Sequence, residues 1–160
     1  MIVEQRLEAL ERRVRAAEDQ LEILRILNSY GPLMDSRQGE AVAHLWVEGG
    51  SIDLGGVGRA EAYDGIAKLF SSEAHHKLTG TGSAHLTLSP RITLHGDTAE
   101  AVAYSLVVMK EGERWILHRA TANYWTFVRT PQGWRVQERS NRVLNGSEES
   151  HDILRKALVA

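Results

Sequence analysis

Along the N-terminal stretch the apolar positions Leu7, Leu10, Val14, Ala17, Leu21 and Leu24 alternate spacings of three and four, and residues 3 to 28 contain neither Gly nor Pro. This pattern predicts one helix over 3–28 with a heptad seam. Arg and Glu dominate its other faces. Two readings of the seam stand: an arm packed on its own domain, or an arm packed against another subunit. From Ile23 the apolar stripe broadens, as where a helix enters a core. Ile26, Leu27, Tyr30, Leu33 and Met34 fit one helical face, and Asp35 sits where that face ends. Gly31-Pro32 then predicts a kink or a break, because Pro lacks an amide donor and disfavours helical geometry in the residue before it. On an unbroken helix Tyr30 and Asp35 would lie roughly 140° apart. A second helix is expected over 39–47, with Val42, Leu45 and Trp46 inward.

Ser51 to Leu54 reads as a short strand followed by the turn Gly55-Gly56-Val57-Gly58, and Ala60 to Tyr63 as an edge strand. Asp64 suits the N-cap of a helix over 65–74, with Ile66, Leu69 and Phe70 inward. His75-His76 would then close that helix, where a cation favours the helix dipole. From Gly82 the period becomes two. Ser83–Leu88, Arg91–His95, Thr98–Lys110, Trp115–Arg129 and Trp134–Val143 are predicted strands, joined by the turns Gly96-Asp97, Glu111-Gly112-Glu113 and Pro131-Gln132-Gly133. Such short connections imply antiparallel pairing. A helix over 148–158 ends the chain. Helices first and a strand meander afterwards predict an α+β fold: a cone-like curved antiparallel sheet, packed by the N-terminal helices and enclosing a pocket. Residues 1–160 are expected to form one domain, with 1–22 as a helical arm.

Composition narrows the function classes. The chain has 160 residues, 25% of them charged, and a net charge of -2. No basic cluster suggests nucleic acid. With no cysteine, disulfides, thiolate metal sites and a thiol nucleophile are excluded. No apolar run resembles a signal peptide or approaches the roughly 20 residues of a membrane span, so a cytoplasmic protein without membrane partners is expected.

His85 lies mid-strand, sharing a face with Ser83 and Thr87. A His beside a carboxylate is a general-base unit: the carboxylate sets the imidazole tautomer and stabilises the cation that forms. A phenol nearby can hydrogen-bond a developing oxyanion. Asp35, His85 and Tyr30 are the candidates for these roles, although an acid where a helical face ends is more often a surface acid than one aimed into the core. In the strand beginning at Trp115, one face has Ile116, His118, Ala120, Ala122, Tyr124, Thr126 and Val128. The other has Trp115, Leu117, Arg119, Thr121, Asn123, Trp125 and Phe127.

The order of these features resembles the nuclear transport factor 2-like superfamily, in particular its SnoaL-like branch. There a long N-terminal helix runs into a Tyr-x4-Asp pair, here Tyr30 and Asp35. A His follows early in the sheet, here Ser83-Ala84-His85, and a Gly-Trp-Arg strand comes near the C-terminus, here Gly133-Trp134-Arg135. The opening Leu7-Glu8-Ala9-Leu10-Glu11 resembles bile-acid 7α-dehydratases, and the Asp/His pair is shared with scytalone dehydratase and hexachlorocyclohexane dehydrochlorinase. The resemblance implies an Asp–His dyad in a conical pocket and a cofactor-independent, metal-free lyase of the dehydratase kind. Its substrate would be a hydrophobic, carbonyl-bearing small molecule such as a steroid or polyketide. It places His118 near a second pocket histidine, and Asn141 and Arg139 as substrate contacts from the last strand. Ile52, Asp53 and Leu54 stand where scytalone dehydratase has a pocket tyrosine, which speaks against a scytalone-like substrate. Two other readings keep the same pocket: a ketosteroid-type isomerase or cyclase, and a non-catalytic binding or assembly module. A homo-oligomer is expected, trimer before dimer by resemblance, with Trp115, Trp125 and Phe127 on one outer face too apolar for water. Because a carboxylate in an apolar pocket is costly, Asp35→Asn is expected to raise the melting temperature while it removes activity.

Overall fold

A computed structural model describes residues 2–156 and 158. Helix α1 runs from Val3 to Asp35 without a break, so of the kink or break expected at Gly31-Pro32 the break does not occur. Pro32 falls in the last helical turns, and its own carbonyl accepts from the Ser36 amide at 2.9 Å to close the helix. Tyr30, Gly31 and Met34 are all buried, and that packing outweighs an intrinsic cost of about 1 kcal/mol for Gly and about 3 kcal/mol for Pro. Gly31 also has a steric reason: a Cβ there would run into the carbonyl oxygen of His85. Earlier in α1 the seam residues Leu7, Leu10, Val14 and Leu21 are exposed. Asp19 is the first buried position. Its carboxylate takes both Arg129 Nη atoms at 2.8 and 2.7 Å and the Trp134 indole N–H at 3.0 Å, pinning the helix to the far end of the sheet.

Helix α2 covers only Gly39–Ala43, shorter than the predicted 39–47. Trp46 is inward, as expected, but it opens strand β1 (Trp46–Asp53). The reason is the sheet: Trp46 pairs with Val136, and the Val136 amide bonds the Leu45 carbonyl at 2.8 Å. A short 3-10 turn (Gly55–Val57) leads to β2 (Arg59–Glu61) and α3 (Ala62–Phe70). Asp64 lies in the first turn of α3 and is not its N-cap, which is Glu61. The helix expected to reach residue 74 stops at Phe70, and Ser72 caps a separate helix α4 (Glu73–Gly80) by accepting from the His75 amide at 3.2 Å. His75 and His76 therefore sit in the first turns of a helix, where the dipole disfavours a cation. The dipole role expected for them is overturned.

Strands β3 (Ser83–Thr87), β4 (Arg91–His95), β5 (Thr98–Glu111), β6 (Arg114–Thr130) and β7 (Gly133–Val143) match the predicted bounds to within a residue. Helix α5 (Glu148–Arg155) follows. The strands form a curved, unclosed sheet in the order β2-β1-β7-β6-β5-β3, with β4 also on β5. Every pairing is antiparallel except that of β1 with β7. Two register shifts set which side chains face inward. On β6, Arg119 pairs with Val107 but Leu117 with Val108, leaving His118 as the extra residue. A bulge flips the alternation that a period of two assumes. Trp115 and Leu117 therefore point outward and are exposed, whereas Thr121, Asn123, Trp125 and Phe127 are buried. Trp125 and Phe127, 1% and 0% exposed, belong to the core and not to an outer face. On β7 the same happens at Gln137, so that Trp134 and Val136 are buried together with Arg139 and Asn141.

Candidate active site

Between the inner face of the sheet and helices α1, α3 and α4 lies a cavity of about 270 Å³. Its walls are mostly apolar, among them Met34, Leu54, Leu69, Phe70, Leu78 and Val107. Tyr30 enters from α1 and His85 from β3. Tyr30 is fixed edge-on among Trp46, Phe70 and Trp125, with ring centroids 6.2, 6.0 and 5.5 Å away.

Asp35 and His85 are 50 positions apart in the chain and meet at 2.7 Å between Oδ1 and Nδ1. The His85 amide donates to the other carboxylate oxygen at 2.8 Å, and Ser83 Oγ donates to Oδ1 at 2.6 Å. An ionised carboxylate only accepts, so His85 turns an N–H at Nδ1 to Asp35, while its Nε2 makes no hydrogen bond to the described residues and belongs to the ring that lines the cavity. Burial pushes the Asp35 carboxyl up, but the bonds from His85, Ser83 and the His85 amide outweigh it and hold the acid below its ordinary value. The unbroken helix explains why Tyr30 and Asp35 point to different places. Asp35 ends α1 and turns to β3, behind His85, while Tyr30 reaches the cavity itself.

His75, which the sequence assigned to a helix end, is a second imidazole at the cavity, with its ring 6.2 Å from that of His85. Its Nε2–H donates to the Met34 carbonyl at 3.2 Å. Burial holds it below the ordinary histidine value despite that bond, so it is the neutral imidazole at neutral pH.

Of the three contacts expected from the strands, Arg139 and Asn141 line the cavity and are buried. His118 does not: it is the exposed extra residue of the β6 bulge, and Arg119 beside it faces inward. Behind these side chains runs a buried polar network. Asn123 Oδ1 accepts from Arg139 Nε and Nη2 at 3.1 and 2.7 Å and from Asn141 Nδ2 at 2.9 Å, and Asn123 Nδ2 donates to Ser105 Oγ at 2.8 Å. Sequence reasoning named neither Arg119 nor Asn123 as part of a pocket, and it gave His75 a helix end. For the first two the signal was present: they alternate on one strand face with Thr121 and Trp125. For His75 there was none, because the boundary between α3 and α4 hid its position. Among the described residues no group of three or more His, Asp or Glu is placed to hold a metal ion.

Comparison with known proteins bears on the family and the fold. A SnoaL-like domain profile matches residues 15–140. A solved NTF2-like protein with a cystatin-like fold from Novosphingobium aromaticivorans is 39% identical, over 92% of this chain and 96% of that one, with a TM-score of 0.90. ActVI-ORFA from Streptomyces coelicolor is 17% identical over 78% of this chain and 97% of its own, TM-score 0.68. Aln2 from a Streptomyces species is 17% identical over 79% and 91%, TM-score 0.70. At that identity the two Streptomyces proteins share the fold. No curated protein matches the chain.

Proposed function

This chain belongs to the SnoaL-like family of the NTF2-like superfamily, and from that premise we propose that it is a cofactor-independent lyase acting on a hydrophobic, carbonyl-bearing small molecule. The observation that carries the reading is the hydrogen bond between Asp35 and His85, which leaves His85 Nε2 as an oriented base at the wall of an apolar cavity.

The chemistry assigns each step to a side chain. His85 Nε2 takes the proton from the carbon next to the substrate carbonyl. The electron pair moves into the carbonyl to give an enolate, while Asp35 stabilises the imidazolium. The Tyr30 hydroxyl donates to the enolate oxygen. As the enolate collapses, the bond to a β-hydroxyl breaks and the imidazolium returns its proton, so water leaves and a conjugated carbonyl compound remains. At about 270 Å³ the cavity falls just below the usual range of about 300–1,000 Å³ for ligand pockets, which suits a polyketide-like molecule of one or two rings better than a four-ring steroid. The exposed seam of α1 supports a homo-oligomer, a trimer by family resemblance.

The test is a panel of cyclic β-hydroxyketones of one to four rings, with the absorbance of the enone product as readout. His85→Ala is expected to abolish turnover and Asp35→Asn to lower it by on the order of 100- to 10,000-fold. Tyr30→Phe is expected to cost about 3 kcal/mol of transition-state stabilisation. Activity is expected to persist in chelator. An active His85→Ala variant, or activity lost to chelator, would overturn the assignment.

A further inference from the structure

The proposed function leaves the polar end of the cavity unexplained. Arg139 is 5% exposed. Its guanidinium is clamped between the rings of Tyr30 and Trp125, 4.4 Å from each centroid. Two of its nitrogens bond the neutral Asn123 amide oxygen. The third, Nη1, is buried and has no partner among the described residues. A guanidinium does not give up its charge in a protein, and a buried charge calls for an opposite one.

Arg119 faces the same cavity, and its Nε is likewise buried and unpartnered among the described residues. Burial first, and the nearby charge of Arg139 second, push its pKa down, so the two cations are close enough to repel. Trp125 Nε1 is a further buried donor without a partner. Among the described residues no Asp or Glu lines the cavity. Both oxygens of Asp35 are already engaged by His85 and Ser83. A purely structural role would not place two uncompensated cations on one cavity, since an apolar side chain of similar volume fills space without the desolvation cost.

We infer that Arg139 and Arg119 form an anion subsite that takes the carboxylate of a compact, otherwise apolar organic acid, which names the substrate class of the proposed lyase. The inference rests on the reading that this cavity is where substrate binds. The carboxylate is a recognition group: its two oxygens are acceptors for the unpaired guanidinium N–H groups, while the reacting ketone faces His85. The apolar walls take the rest of the molecule.

Calorimetric titration with 2-naphthoate and cinnamate, and with the two matching carboxamides, tests it without knowledge of the substrate. The acids are expected to bind roughly ten- to a hundred-fold more tightly than the amides. Arg119→Met and Arg139→Met are expected to erase that difference while leaving amide affinity in place, and His85→Ala to retain it. The acid-to-amide ratio of the unmodified protein and of Arg119→Met decides the matter even if Arg139→Met does not fold. Because His85→Ala is read by binding, an error in the lyase reading shows as lost or misplaced turnover with the preference intact. Equal affinity of acid and amide, binding of neither, or binding of chloride or phosphate alone would each overturn the subsite.

Discussion

Three donors converge on Asp35: Ser83 Oγ, the His85 amide and His85 Nδ1. That convergence reverses the stability expected from sequence. The carboxylate is held below its ordinary pKa, so the folded state favours its charge, and Asp35→Asn puts an amide N–H or a weaker acceptor against donors. We expect the variant to lose roughly 1–3 kcal/mol by chemical denaturation at pH 7, not to gain stability. The pH dependence follows from the direction of the shift. A depressed carboxylate stabilises fully above its unfolded value of about 4 and loses that contribution as pH falls through the lower folded value. The acid limb of the stability curve is therefore expected to be shallower in Asp35→Asn. His75 has the other chemistry. Its pKa is lowered by burial, so below about pH 6.5 the unfolded chain takes up a proton that the folded one resists, and stability falls with pH. His85, His76 and Asp35 face it, and Asp35 partly offsets the burial. His75→Phe is expected to flatten the stability profile between pH 5 and 7 (denaturant midpoints at each pH check this). The Met34 carbonyl keeps a partner in that variant, the Arg37 amide at 3.1 Å.

At the level of elements, the site depends on how closely β3 lies against α1. Gly31 meets the backbone of His85 directly, and Asp35, one turn later, then reaches the amide and ring of the same residue. In an exposed helix, Gly→Ala would stabilise by about 1 kcal/mol. Here the methyl group would displace β3, so Gly31→Ala is expected to cost about 1–3 kcal/mol or more and to separate Asp35 from His85. Thermal denaturation gives the sign, and the His85 ring resonances in NMR report the lost bond. An unchanged or higher melting temperature with those resonances intact would show that β3 can move away without consequence. The Gly-Pro pair reads as a helix breaker from propensity alone; its glycine is the residue that lets a strand dock on the helix.

Across the whole molecule, the exposed apolar residues include two groups. Leu7, Leu10, Val14 and Leu21 line the exposed N-terminal part of α1, and Leu86, Tyr104, Trp115 and Leu117 are exposed on the sheet strands. The described residues of the chain itself do not cover the α1 seam, which favours the second of the two readings of the arm. We expect light scattering at micromolar concentration to give a multiple of 17.8 kDa, three-fold by family resemblance. Replacing Leu7, Leu10 and Val14 together by Asp is expected to lower that mass if the seam is the contact. A monomer in the unmodified protein would refute the oligomer.

Much of this architecture was legible from local pattern. A period of two identifies β3 to β7 because alternation is a property of each strand alone, and heptad spacing identifies α1 for the same reason. Tyr-x4-Asp and the mid-strand His pointed to Tyr30, Asp35 and His85 through family resemblance. What the pattern could not decide were the places where long-range contacts override local preference. Packing of Tyr30, Gly31 and Met34 carried the helix through Pro32. Pairing with Val136 drew Trp46 out of a helix and into β1. The bulges at His118 and Gln137 arise only when β5, β6 and β7 are laid side by side, and they decide that Arg119, not His118, faces the cavity and that Trp125 and Phe127 are core. Periodicity names the two faces of a strand; register against its neighbours, which is a tertiary property, decides which of them is inside.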